Sequence, residues 1–517
     1  TLIHLQASWW DLATRLPLAE DSPPLFFLLL KGWSVFFASE WTRRLLAVVF
    51  GAAAVGVLMA LAERIRPGAG WIAGLLGAFS PVPVHYSQEL RVYSLLMLLV
   101  VLSLWATEII VREPRSRRGH FLWGLFAVLA AHSHAIGVFV YPMTGAYLLV
   151  RAGWSHKRAV VSPWSTVTWL IGCSPMFWFN LHWALEHKTT GWWIDPVSTT
   201  TTLDLFYSFT GVLVVTQWLQ EALESWWLVP LTRLSVAFIF GTCGLLIAWG
   251  LWHARTRRAA AALLVSCVVF TGLMVVTSLT GVPNMIDRTL LPAWVPILAL
   301  FGVAAAPAAG RPVRNALLTG SALAMAGLWG AGWGWVAKYS ENERRFSQSD
   351  CFRWIRADLG PDDMIVLTPS WLEDSAAWYL RDGIRGEQLF TIDAPAYEGA
   401  PPRHTLRHAR ITVTDEEIEE GAWSQRIRSA IRERQGRRYS VWLVSGYWQE
   451  LFGQDPVVEQ LESFFKPGFE RVAHYTPPHL TGIVARRYVP VAAAVGPTRP
   501  AGQTDAWPGG SVPSGVE

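Results

Sequence analysis

The sequence predicts a mainly α-helical membrane protein. A polytopic helical domain of about ten spans, with one further interfacial helix on its outer face, precedes a small soluble α/β domain. Three observations predict this. The 517-residue chain is 52% hydrophobic and only 16% charged, with a mean hydropathy of +0.29, more apolar than one globular core requires. Its apolar residues gather into runs of near-spanning length, divided by short basic segments. From about Tyr339 the composition turns to mixed charge.

The apolar runs cover 45–62, 71–86, 92–111, 120–133, 135–150, 162–182, 234–252, 259–280, 289–307 and 313–337. Alternate connections hold Arg64 and Arg66; Arg112, Arg115, Arg117 and Arg118; Arg151, Lys157 and Arg158; Arg255, Arg257 and Arg258; and Arg311 and Arg314. Cytoplasmic loops carry an excess of Lys and Arg, so one orientation satisfies the whole series. It leaves Arg91, Lys188, Arg233 and Arg288 as scattered outer cations, with Arg43 and Arg44 at a helix start. The segment Pro23–Ala38 is apolar but short and interrupted by Lys31, and as a span it would invert every later loop. It is expected to lie at the outer interface.

Of the 30 Trp, several (Trp41, Trp71, Trp154, Trp226, Trp227) stand near the ends of apolar runs, where an amphipathic ring suits the headgroup level. The net charge of +4 is small and its cations form no continuous stripe, which excludes a nucleic-acid-binding surface. Cys173, Cys243 and Cys267 lie in apolar segments and only Cys351 in the polar part, so the four cysteines make neither a disulfide framework nor a metal-ligand spacing.

The expected organisation is a transmembrane domain over 1–338, an extracytoplasmic α/β domain over 339–490 and a disordered tail over 491–517. The α/β reading rests on a helical pattern from Cys351 to Leu359, a strand from Met364 to Leu367, an acidic stretch from Asp415 to Glu420 and a Val-rich strand from Ser440 to Ser445. The tail is rich in Pro, Gly, Ala and Ser. No repeat of fixed period is visible. The chain opens at Thr1 with neither Met nor a signal-peptide pattern, so its natural start is expected upstream.

The stretch Ser80–Leu96 places Gln88, Glu89 and Arg91 on a short outer turn between two apolar runs. Charges at that depth mark function or pair with one another. Glu89 and Arg91 can equally neutralise each other and cap the next helix. Upstream, Glu20 and Asp21 precede Ser22-Pro23-Pro24, where Asp21 or Ser22 can act as an ordinary N-cap. Together the two acidic sites can frame an outer cavity open to a lipid-borne substrate.

These residues resemble the membrane glycosyltransferases of the GT-C fold, especially the dolichyl-phosphate-mannose protein mannosyltransferase-like family, glycosyltransferase family 39. Tyr86-Ser87-Gln88-Glu89-Leu90-Arg91-Val92-Tyr93-Ser94-Leu95 is similar to the family's Tyr-Ser-Gln-Glu-Ala-Arg-x-Tyr-Ser-Leu. Asp21-Ser22-Pro23-Pro24-Leu25-Phe26-Phe27 is similar to an acidic residue followed by His-Pro-Pro-Leu-Tyr-Tyr, with Ser22 in place of the His. His132-Ser133-His134 resembles a Thr-His-Tyr, Gly191-Trp192-Trp193-Ile194-Asp195-Pro196 an outer-loop signature, and Arg288-Thr289-Leu290-Leu291-Pro292 the family's Arg-Tyr-Leu-x-Pro. The family's acidic pair on its first outer loop would precede Thr1, and with it the expected catalytic base.

The resemblance implies an inverting transfer from a polyprenyl phosphate sugar to a lipid, polysaccharide or protein acceptor outside the cytoplasmic membrane. Asp21 and Glu89 would be the catalytic carboxylates, with Glu20, Gln88, Tyr93 and His134 as further site residues. Arg91 and Arg288 break the charge bias of the outer loops, and a phosphate between them accounts for the exception. No cofactor is demanded. Acidic groups without His or Cys at ligand spacing are compatible with Mg or Mn but do not require either. Two rivals remain: a lipid-linked sugar flippase, against which the missing repeats and the large terminal domain speak, and a catalytically inactive scaffold.

Overall fold

The computed structural model describes residues 5, 7–14, 23–37, 39–153, 163–186, 198, 202, 205, 207–212, 215, 229–253, 256–279, 285–308, 310–344, 348–368, 372, 376, 379–380, 388–392, 411–413, 422–446, 462–475 and 483–491. Two compact units divide at Ser340 and Glu341.

The first unit is helical. Its elements are α1 (Trp9–Thr14), α2 (Leu25–Phe36), α3 (Glu40–Ile65), α4 (Gly70–Phe79), α5 (Pro81–Gln88), α6 (Tyr93–Arg112), α7 (Arg117–Ser133), a 3-10 turn (Ala135–Phe139), α8 (Val140–Ala152), α9 (Pro163–Glu186), α10 (Val229–Trp252), α11 (Arg257–Leu279), α12 (Asp287–Ala305) and the start of α13 (Pro312–Arg344). Helix α6 packs against α3, α7 and α8, while α12 packs against α4, α6 and α11. A continuous apolar core joins them, with Leu96, Val100, Leu104, Leu298 and Leu300 fully or almost fully buried.

The expected count of about ten spans needs correction. Six helices among the described residues are long and apolar enough to cross a bilayer: Trp41–Ile65, Tyr93–Arg112, Ala135–Ala152, Arg233–Trp252, Arg257–Leu279 and Arg288–Ala305. The run 71–86 is broken at Ser80, whose extended backbone (ψ 123°) ends α4 before Pro81 opens α5. Helix α7 is only 17 residues long and carries Arg117, Arg118, His120 and His132. Helices α9 and α13 have the length, but Ser, Thr, Gly and Trp dilute their apolarity.

The interruption by Lys31 is explained within the fold. From α2 its ammonium donates to the Leu5 carbonyl at 2.9 Å and to the Ala7 carbonyl, and it lies 5.6 Å from the Trp9 ring centroid. The charge is therefore held by two backbone carbonyls and an aromatic face, which is how an ammonium is kept in an apolar segment.

The second unit carries the end of α13, α14 (Gln348–Asp358), β1 (Met364–Thr368), β2 (Leu389–Ile392), β3 (Ile411–Val413), α15 (Ala422–Glu433), β4 (Val441–Gly446), β5 (Phe469–Tyr475) and β6 (Ile483–Pro490). Strand order is β3-β2-β1-β4-β6-β5, with β1 to β4 mutually parallel and the β5–β6 hairpin antiparallel. Alternation along β1 sends Met364 and Val366 to the face covered by Ile427 and Ala430 of α15. Ile365 and Leu367 go to the face covered by Cys351, Phe352 and Ile355 of α14. Buried Asp363 accepts from the backbone N–H of Gly360 (2.9 Å) and Ser440 (2.6 Å) and from Trp442 Nε1 (2.9 Å), fixing the start of β1 against β4. The expected helix at 351–359 and strands at 364–367 and 440–445 are α14, β1 and β4. The acidic stretch 415–420 and the tail from residue 492 lie outside the described residues.

Candidate functional site

The break between α4 and α6 builds the site. Trp294 of α12 donates from Nε1 to the buried Ser80 hydroxyl at 2.9 Å, which ties the break to the helix that begins near Arg288. Helix α5 then lies so close to α3 that a Cβ at Gly51 would collide with the Ser87 hydroxyl, and only glycine permits that approach. The chain leaves α5 at Glu89, and α6 begins four residues later at Tyr93.

Glu89 is half-buried between a histidine and an arginine. Its Oε1 lies 3.4 Å from His85 Nε2, one helical turn earlier, and its Oε2 lies 3.7 Å from Arg91 Nε. Burial pushes the carboxyl pKa up. The hydrogen bond from His85, the charge of Arg91 and, more weakly, Arg288 outweigh it and hold the group below its ordinary value. Glu89 is therefore ionised at neutral pH.

Tyr93 is the hub of the arrangement. The Arg288 guanidinium lies 5.8 Å from its ring centroid. Its ring also meets Tyr86 at 5.0 Å and His134 at 5.6 Å between centroids. His134 caps the 3-10 turn, accepting at Nδ1 from the Ile136 N–H at 3.3 Å. Burial and the nearby Arg288 charge push its pKa down to about 4. The imidazole is thus neutral, and acceptance at Nδ1 leaves the proton on Nε2 as a donor.

The structure therefore brings together Glu89, Arg91, Tyr93, His134 and Arg288, which lie up to about 200 residues apart in sequence. Gln88 is exposed at the end of α5. Glu20, Asp21 and the 191–196 signature lie outside the described residues. His132 serves elsewhere, with its Nε2 2.9 Å from the Gly172 carbonyl. One residue was missed: His85. Its i, i+4 spacing to Glu89 was legible once residues 81–88 were assigned to a helix. Among the described residues no three His, Cys, Asp or Glu side chains converge to hold a metal. His85 and Glu89 offer two donors, too few on their own for a divalent cation.

Residues 21–179 match the family described as dolichyl-phosphate-mannose-protein mannosyltransferase. No curated protein matches the chain by sequence. Among solved structures, ArnT from Cupriavidus metallidurans in the apo state is similar at a TM-score of 0.58 and 16% identity, covering 96% of this chain and 92% of that one. The same protein bound to undecaprenyl phosphate is similar at a TM-score of 0.54 and 14% identity, covering 92% and 89%. More distantly, the archaeal oligosaccharyltransferase AglB from Archaeoglobus fulgidus, in complex with an inhibitory peptide and a dolichol-phosphate, aligns at a TM-score of 0.43 and 13% identity over 89% of this chain and 65% of that one. Glu89, Arg91, Tyr93 and His134 thus lie inside the region that matches the mannosyltransferase family and Arg288 beyond it, and the chain is an integral membrane protein of the GT-C fold.

Proposed function

We propose that this chain transfers a glycosyl group from a polyprenyl phosphate sugar to an acceptor on the extracytoplasmic side of the cytoplasmic membrane, with inversion at the anomeric carbon. The observation that carries the proposal is an ionised carboxylate, Glu89, set among Arg91, Arg288 and a neutral histidine at a helix break inside the family-matching segment. That ArnT binds undecaprenyl phosphate supports the choice of donor class.

Displacement at the anomeric carbon places negative charge on the departing phosphate and positive charge on the sugar ring. Arg91 and Arg288 supply fixed cations for the phosphate, where they matter most in the transition state. Glu89 supplies a fixed anion beside the sugar. Its lowered pKa makes it a weak proton acceptor, and a base works best near the operating pH. Proton removal from the acceptor is therefore assigned to Asp21, and Glu89 to charge stabilisation and orientation. His134 Nε2–H and the Tyr93 hydroxyl are donors for sugar or phosphate oxygens. A divalent cation would need further donors, Asp21 among them, besides His85 and Glu89.

The test is direct. Membranes containing the protein, incubated with labelled polyprenyl phosphate sugars, are expected to move label into an acceptor fraction. Label that merely crosses the bilayer on an intact donor would identify a flippase instead.

Topology gives a second expectation. A phosphatase fused after Arg345 should be active and one fused after Arg118 inactive, the pattern that keeps every Arg cluster inside when the broken run 71–86 and helices α7, α9 and α13 cross along with the six longer helices. The reverse pattern would move the Glu89 cluster to the cytoplasmic face and remove the outer-face acceptor.

A further inference from the structure

Helices α6 and α8 run in parallel from the site, α6 from Tyr93 and α8 from the 3-10 turn that His134 caps. At their far ends a buried polar cluster joins them. Glu108 of α6, fully buried, accepts at Oε1 from the Tyr147 hydroxyl at 2.5 Å and from Arg151 Nε at 2.9 Å, both on α8. Its Oε2 is buried with no hydrogen-bond partner. Midway, the hydroxyls of Ser103 and Thr144 lie 3.4 Å apart across the same seam, and Thr144 also accepts from Trp123 Nε1 at 2.7 Å.

A carboxylate inside an apolar bundle is costly, and an aliphatic pair would pack the two helices without that cost. Dispersion contacts alone, however, let one helix slide or rotate past another. A directional pair with one bonded oxygen allows a single register. Fifteen residues separate Glu108 from Tyr93, about 22 Å along a rigid helix, so a register fixed at one end is delivered at the other.

We propose that Glu108, held by Tyr147 and Arg151, is a positioning residue that sets α6 against α8 and thereby holds the Tyr93–His134 pair together at the candidate site. The consequence for transfer rests on the function proposed above. The register does not.

The test separates the two. In full-length protein with Cys173, Cys243, Cys267 and Cys351 replaced by alanine, Tyr93→Cys and His134→Cys are joined by a short bis-thiol reagent in membranes. Glu108→Ala or Arg151→Ala should slow the joining about tenfold, within the range of substitutions that act at a distance. The charge exchange Glu108→Arg with Arg151→Glu should restore part of the rate. In the native-cysteine chain, Glu108→Gln should lower kcat about 10- to 10²-fold with KM little changed, as expected for a misplaced site. Should the alanine variants fail to accumulate, Tyr147→Phe keeps the ion pair and should still slow the joining measurably. Unchanged joining in Tyr147→Phe and in every Glu108 variant that accumulates overturns the proposal. Slowed joining in a chain that transfers no sugar leaves the register standing and removes the enzymatic reading.

Discussion

Replacing Arg288 with alanine is expected to lower sugar transfer about 10²-fold while the melting temperature of the purified protein stays within a few degrees. The guanidinium sits at the start of α12, a helix otherwise secured by the Trp294–Ser80 hydrogen bond and by burial of Leu291, Val295 and Leu298, so the fold does not rest on it. Its charge reaches Glu89 and His134 as well as the Tyr93 ring, placing it at the centre of the cluster. A fixed cation is worth most where charge grows during reaction, so the loss should fall on kcat. Lysine should rescue only partly, because a point charge cannot reproduce the planar contact with Tyr93. Arg91→Ala should also lose activity, but less, since its side chain is half exposed and water can replace part of its effect. If Arg91 serves only to neutralise Glu89, the double variant Arg91→Ala with Glu89→Gln should recover much of what either single change loses. Full activity in Arg288→Ala, measured with a polyprenyl phosphate sugar, would remove the phosphate role.

The features that sequence made legible share a physical origin. Hydropathy is a local average, so the helical character of the first unit and the turn to α/β composition after Tyr339 could be read directly. The strands at Met364 and Val441 were visible because buried parallel strands are continuous apolar runs. Span number was not legible, because a helix break depends on one backbone angle. Ser80 ends α4 within a run whose average hydropathy continues through Val84. The site was half legible. The Glu89–Arg91–Tyr93 motif is contiguous, whereas its connection to Arg288 and His134 is made by packing of α12 and of the 3-10 turn. His85 escaped because its role appears only when residues 81–88 coil and bring positions four apart onto one face. Glu108 and Arg151 lie 43 residues apart, and no local pattern marks them as partners.

Glu89→Gln is expected to reduce transfer by about 10² to 10³, and the pH profile should show why. Burial alone would raise the Glu89 pKa, yet the His85 hydrogen bond and the charges of Arg91, His85 and Arg288 hold it down. The groups that face it are thus His85 on α5, Arg91 before α6 and Arg288 on α12, with Tyr93 and His134 beside them. A carboxylate whose folded-state pKa is depressed stays charged below its usual value of about 4.3. Its contribution is present above the unfolded pKa and is lost as pH falls through the lower folded one. The acid limb set by Glu89 should therefore lie below the ordinary carboxylate range. His85→Ala removes the largest contact that lowers the pKa, so in that variant the limb should move to higher pH, with activity near pH 7 much less affected. His134, pushed down to about 4, should add no step between pH 5 and 8. Glutamine at 89 keeps the shape and the hydrogen bond to His85 but not the charge, so its loss isolates the charge itself. If Glu89→Gln retains wild-type kcat and the acid limb ignores His85→Ala, Glu89 is only a cap for α6, and the fixed anion of the site must be sought at Asp21.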